Sequence, residues 1–486
     1  ITVNNFVAGS VGSDQTICDG ATPVTFTSVT PTGDGTLTYQ WKSSTDGLNF
    51  TNITGATSET YIEGALMADT WYKRAVTSTL GTSICTLETN TIRVTVVNFS
   101  AGSIGSDQTI CDGTAPAIFT SVAASGDGTF TYQWQNSADG TTFANIVGAN
   151  LATYAAPAIN ADTWYRRVVT STLNSTPCIK MTNIIKVTVN NFVPGSIGID
   201  QTICEGGVPI AFTSVTPTGD GILTYQWQSS IDGVSFSNIT GASSETFAPA
   251  ALMADTWYRR NVTSTLSGNS CTLSTNVVKV TVNNFTPGSI ESSQTICEND
   301  TPVALTSVAA TGDGTFTYQW ESSADGATFA QISGATSATY SAGALTADTW
   351  YRRQATSTLG LNTCTTPSNT IKITVNNFTQ GSIGNDQTIC ENTAPASLTS
   401  VAPVGDGTFT YRWFSSPDGI SFAVIPGAIS ETYAPGLLTA DTWYRREVTS
   451  TLSGKACTAT TNIVRITVNN FIAGSIGTDQ TICDGA

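Results

Sequence analysis

The spacing of cysteine constrains this chain more than any other feature. Eleven cysteines occur, at 18, 85, 111, 178, 204, 271, 297, 364, 390, 457 and 483. Alternate members stand 93 residues apart, and the inner step is 67, with no insertion or deletion over five copies. The phrase QTIC carries one series and appears six times. A period of 93 matches one small domain, so the 486 residues read as an array of small cores and not as one large core. The units fall at 8–100, 101–193, 194–286, 287–379 and 380–472, with 1–7 ending a preceding unit and 473–486 starting a further one. Both ends lie inside repeated phrases (ITVNNF returns at Ile466–Phe471), so the expectation is a window on a longer array.

Two cysteines per unit at fixed spacing read as one disulfide per unit, made in an oxidising compartment. Two thiols and no histidine cannot complete a zinc site. Pairing within units (Cys18–Cys85, Cys111–Cys178, Cys204–Cys271, Cys297–Cys364, Cys390–Cys457) competes with pairing across boundaries (Cys85–Cys111 and its repeats). The first is expected, because the chain leaves Cys85 along an extended stretch that carries Cys111 away from it.

Within the first unit, TPVTFTSV, GTLTYQWKSS, FTNI, TWYKRAVTST and TNTIRVTVVNF are rich in Thr, Val and aromatics and alternate in part, which are strand signals. Gly-Asp-Gly at 33–35 and Asp-Gly at 46–47 supply turns. No segment has helical period. The fold class is all-β: a tandem array of Ig-like sandwiches. Its junctions are short, with about five residues outside any strand, so the array is expected to be an elongated semi-rigid rod. At ~40 Å per sandwich, five units would span roughly 200 Å.

Differences among the copies assign the faces. After Trp41 comes Lys42, then Gln135, Gln228, Glu321 and Phe414 in the other copies, a variety that fits a solvated side chain. Tyr39 and Trp41 then point inward, with Trp134, Trp227, Trp320 and Trp413 as the equivalent core aromatics. Ala75 and its counterparts Val168, Asn261, Gln354 and Glu447 are expected to face water, and Val76 the core. Trp71 and its repeats Trp164, Trp257, Trp350 and Trp443 fall on the outer face. They are either platforms for stacking on sugar rings or rings covered by a loop or a cation. Arg74 and its repeats are expected to pair with a carboxylate such as Asp69.

Composition narrows the chemistry. A net charge of −16 argues against nucleic acid and anionic membrane. No apolar run reaches the ~18–20 residues of a membrane span, so no direct membrane insertion is expected in this window. The absence of histidine removes His-based triads and His metal sites. Gly-Asp-Gly precedes no helix and is not a phosphate loop. The expectation is a chain that is not an enzyme and holds no cofactor. Calcium is the alternative, with oxygens from Asp14, Asp19, Asp34 and Asp46, although Ser293 stands in the place of Asp14 in the fourth unit.

GDGTFTYQWESSADG (312–326), ISGATSATY (332–340) and ADTWYRR (347–353) resemble the Ig-like repeats of giant secreted surface proteins of Bacteroidota. The phrase VTVNNFTPGSI…QTICE (280–298) is most similar to SprB-type adhesins of gliding flavobacteria. The resemblance implies export by type IX secretion, display on the outer membrane at the bacterial cell surface, and partnership with the gliding machinery. On this reading the chain is a stalk or filament segment of a cell-surface adhesin, meeting external surfaces or polysaccharide. Multivalent polysaccharide binding, the spacer of a secreted polysaccharide-degrading enzyme and a laterally bundled fibre are the alternatives. The drifting tips TLGTSIC, TLNSTPC, TLSGNSC, TLGLNTC and TLSGKAC weigh against a shared loop site.

Overall fold

The computed structural model describes residues 1–477. Residues 478–486, with Cys483 and most of the expected further repeat, lie outside the described residues. One unit serves for all five. Its strands are β1 (Phe99–Ser100), β2 (Gln108–Cys111), β3 (Ser125–Gly126), β4 (Thr129–Ser137), β5 (Ala144–Asn145), β6 (Thr163–Leu173), β7 (Thr176–Met181) and β8 (Ile185–Asn190). The described residues contain no helix. The main sheet runs β2-β8-β6-β4-β5, with β7 on the far half of β6. β2 lies parallel to β8, and the other pairs are antiparallel. The long β4–β6 hairpin holds the sheet together, from Thr129 opposite Thr172 to Ser137 opposite Trp164.

The facing layer is thinner. It consists of β1 paired with β3 and of single bridges at Ser103–Val122, Thr114–Ile159 and Phe119–Tyr154. In the first unit only Ser28–Val29 of TPVTFTSV is strand, while Phe26 bridges Tyr61. Pro23 and Pro31 flank that stretch and cannot donate to a ladder. The first strand of each unit starts earlier than the expected division at 100/101: Phe99 and Ser100 pair with Gly126 and Ser125 of the following unit.

Between the layers, Trp134 is wholly buried and its indole N–H donates to the carbonyl of Leu151 at 2.9 Å. Phe119 lies 5.7 Å from Trp134 and 4.8 Å from Tyr165, ring centre to ring centre. Trp41, Trp227, Trp320 and Trp413 are equally buried. Tyr39 is only half-buried and lies under the Arg74 guanidinium, 4.9 Å from its ring centre.

Two expectations about faces are corrected. Ala75 is only 6% exposed. The variable position after Trp41 is not free in water either. It is the cross-strand partner of the basic residue on β6: Gln135 and Gln228 accept from Arg166 and Arg259 at 2.7 Å, and Glu321 pairs with Arg352 at 2.6 Å. Phe414 instead lies under Arg445, at 5.3 Å. Its variety reflects changes of pairing chemistry on one sheet face.

Candidate functional site at the junction between units

The strand register decides where the thiols sit. On β6, Cys178 of β7 lies opposite Ser171. β8 joins the other half of β6, with Val187 opposite Thr163, and Cys111 of β2 lies opposite Asn190, three positions further on. The two cysteines of a unit are therefore about eleven positions apart along the sheet, roughly 36 Å at ~3.3 Å per residue. A disulfide needs Cα atoms within about 7 Å. The expected pairs within units, Cys18–Cys85, Cys111–Cys178, Cys204–Cys271, Cys297–Cys364 and Cys390–Cys457, are thus excluded by the height of the sheet.

The bonds run between consecutive units instead: Cys18–Cys178, Cys111–Cys271, Cys204–Cys364 and Cys297–Cys457, each across 160 residues and with Cα atoms 5.4–5.6 Å apart. The foot of one unit is bolted to the head of the next. Cys85 and Cys390 are free thiols.

The β6–β7 hairpin tip makes the contact. At the first junction, Asn174 and Thr176 reach Thr16 at 3.2 and 3.4 Å, and Lys180 pairs with Asp19 at 3.1 Å. At the next junction Asn190, buried at the end of β8, donates to the carbonyl of Ser264, whose hydroxyl donates back to the Asn190 side-chain oxygen. These bonds are 2.9 and 2.8 Å, and neither side chain is exposed. Asn283–Ser357 and Asn376–Ser450 repeat the clasp. Val97 replaces the asparagine at the first junction and packs with Phe99, Ala101, Val169 and Cys178, while Ser171 turns to the carbonyl of Asp127.

The Gly-Asp-Gly loop belongs to this junction. Asp127 accepts from the backbone N–H of Asn98 at 2.8 Å, and its own N–H donates to the Asn98 carbonyl at 2.9 Å. A Cβ on Gly126, at φ +122°, would stand 2.6 Å from the Cα of Phe99, and one on Gly128 would stand 2.4 Å from the Ser171 hydroxyl. Asn98 also donates to the Met67 carbonyl of the preceding unit, at 3.2 Å. The loop thus holds the linker while the linker holds both units.

The other candidates lie elsewhere. Trp71 is not an open platform: the Gly47 turn lies against its indole and Arg93 sits 5.0 Å over the ring. Trp164, Trp257, Trp350 and Trp443 carry Gly140, Gly233, Gly326 and Gly419 in the same way, with Lys186, Lys279, Lys372 and Arg465 above them. Arg74 does not pair with Asp69, which takes Arg93 instead. Its buried guanidinium donates to the Ser28 hydroxyl and to the carbonyls of Glu59 and Ala8.

The four candidate calcium ligands are engaged separately. Asp14 accepts from the Arg93 N–H, Asp34 from Asn5, and Asp19 pairs with Lys180. Asp46 closes its own turn by accepting from Leu48 and Asn49, each at 2.8 Å. Backbone and Ser44 hydrogen bonds hold its carboxyl well below the ordinary carboxylate range. No group of three His, Cys, Asp or Glu side chains with metal-binding geometry occurs among the described residues.

Sequence reasoning missed the junction clasp. Its signal was present in NNF, where the first Asn is replaced only by Val97, and in the Ser three residues before each hairpin tip.

Among solved structures the chain is similar to Sidekick-1 immunoglobulin domains 1–5, at 14% identity and a TM-score of 0.20, over 94% of this chain and 97% of that one. It is similar to the N-terminal eight Ig domains of Down Syndrome Cell Adhesion Molecule, at 12% identity and a TM-score of 0.24, over 94% and 72%. The three N-terminal domains of the bacteriophage RB49 outer capsid protein Hoc match at 14% and 0.29, over 57% and 100%. No curated protein sequence matches. One family model matches five times in succession, at residues 7–98, 100–191, 193–284, 286–377 and 379–470. The chain belongs to that family, a domain of unknown function designated DUF8696.

Proposed function

We propose that this chain is a stalk segment of a long extracellular adhesin, working by holding shape and not by catalysis. The observation that carries the reading is the junction: consecutive units are joined by a disulfide between the foot of one and the head of the next. A flexible spacer needs neither that bond nor a buried Asn–Ser clasp. The disulfides place the chain's maturation in an oxidising compartment outside the cytoplasm. The resemblance of the repeat phrases adds a bacterial outer surface, type IX export and a part in gliding, with external surfaces or polysaccharide met by parts beyond the stalk. Polysaccharide binding by the repeats themselves loses its main support, because the five outer tryptophans already carry a turn and a cation.

Beads coated with antibody against one unit test this on living source cells. Beads that bind and travel along the cell support a motor-driven adhesin. Beads that bind and stay fixed keep the stalk and remove the gliding. If no bead binds an intact cell, the surface-stalk reading fails.

A further inference from the structure

We propose that the disulfides make the array into two interleaved covalent threads that carry tension past the folded units, so that pulling on the chain by its ends draws out less than one unit's length in all. The proposal rests on the stalk reading for its purpose but not for its geometry. One thread runs through the Cys18–Cys178 bond, the backbone from Cys178 to Cys204, and the Cys204–Cys364 bond. The other runs through Cys111–Cys271, the backbone from Cys271 to Cys297, and Cys297–Cys457. Each backbone link is 26 positions long, against 186 in the two units it passes.

The links are almost taut. Cys178 sits at the head of its unit and Cys204 at the foot of the next, two sheet heights away, or roughly 70 Å at ~3.3 Å per strand residue. Twenty-six residues drawn straight reach ~90 Å. The slack is ~20 Å over two units, where 186 free residues would give ~600 Å.

Where their backbone links overlap, the two threads lie side by side. In the third unit, Gln201–Cys204 belongs to one thread and Val280–Asn283 to the other, and they are paired in parallel along this whole stretch. The β4 and β6 hairpin, with the core Trp and the buried Arg, lies outside both links. The four loops also overlap, so every backbone position between Cys18 and Cys457 is spanned by at least one bond.

The test is to stretch the full chain by its ends in a single-molecule instrument, with Cys85, Cys390 and Cys483 changed to Ser so that only these four bonds form. Under reductant, each unit is expected to release on the order of 300 Å as it unfolds. Oxidised, the stretch from Cys18 to Cys457 is expected to release less in total than one unfolded unit. Releases of ~300 Å from several units of the oxidised chain would overturn the proposal.

A second measurement does not depend on the reduced chain staying folded. A protease site is placed in the loop around Val147, which is fully exposed. After cleavage the oxidised tether is expected to hold, and to part only when reductant is added. A tether that parts on cleavage alone would also overturn the threads. A chain that is locked in this way but absent from the cell surface would sink the stalk reading and leave the threads standing.

Discussion

Each unit buries an arginine whose guanidinium donates to backbone carbonyls. Arg260 has no exposed surface. Its guanidinium donates to the Ser214 hydroxyl at 2.7 Å and to the carbonyls of Glu245 and Pro194 at 2.5 and 3.0 Å, over the ring of Tyr225. Burial pulls its pKa down, and the charges of Glu245 and Tyr225 oppose the shift. A planar fork with several donors ties the ends of two irregular segments to the sheet, a task that a lysine cannot share. Arg260→Met keeps most of the apolar stem but leaves those carbonyls unpaired, so the third unit is expected to lose about 2–4 kcal/mol. Hydrogen exchange resolved by unit checks this, and protection equal to that of the parent would refute it.

The titration behaviour follows from the same residue scale. With no histidine, stability is expected to be flat from about pH 5 to 8. The turn carboxylates have depressed pKa values, with Asp418 at about 2 under the pull of Ser421, Ser416 and Ile420 hydrogen bonds. Their stabilisation is complete above the ordinary value of 3.8 and is lost as the pH falls towards 2. Tyr165, Tyr351 and Tyr444 are pushed up to about 12 by burial, so their contribution is whole below pH 10 and fades between 10 and 12. A thermal midpoint measured against pH should therefore show a plateau with two falling edges, and a slope near pH 6 would contradict it.

Among the elements, the Gly-Asp-Gly loop and the β6–β7 hairpin decide how units meet. A Cβ at Gly221 would stand 2.4 Å from the Ser264 hydroxyl and 2.8 Å from the Thr265 backbone. Gly221→Ala is therefore expected to displace the Ser264–Asn190 clasp and cost about 1–3 kcal/mol at that junction. Exchange at residues 190–193 and 264–269 should rise while the distant β4 of the same unit stays protected. Uniform loss across the unit would mean that the glycine serves the fold and not the junction.

The strands themselves were legible, because Thr, Val and aromatics alternate at period two and Trp41 announces its own burial. The pairing of Cys18 was not legible. It depends on β7 and β8 sharing one long strand end to end, which places one thiol at each end of the sheet, and no local pattern records that division. Arg74 misled for a related reason: its partners are carbonyls, and backbone groups leave no mark in a sequence.

At the scale of the whole molecule, a chain of these 486 residues carries unequal numbers of bonds on its five units, because the bonds bridge neighbours. Among the described residues both cysteines are engaged in the second, third and fourth units, whereas in the first and fifth Cys85 and Cys390 have no bonding partner within the chain. A loop of 160 residues contributes about 5 kcal/mol in the chain-entropy model, less for each further loop that overlaps one already closed. Opening a middle unit must work against two such constraints, and opening an end unit against one. Hydrogen exchange on the oxidised chain should show the middle three units more protected than the outer two. Differences in sequence among the units could produce the same ranking, so the decisive measurement is the change on reduction. Protection should fall most in the middle three and the ranking should flatten. If all five lose protection equally, each unit answers to its own core, and the array is a string of independent domains whose bonds merely decorate it. If the middle units alone give way, the stability of any one unit belongs to its neighbours as well, which a stalk requires and separate beads do not.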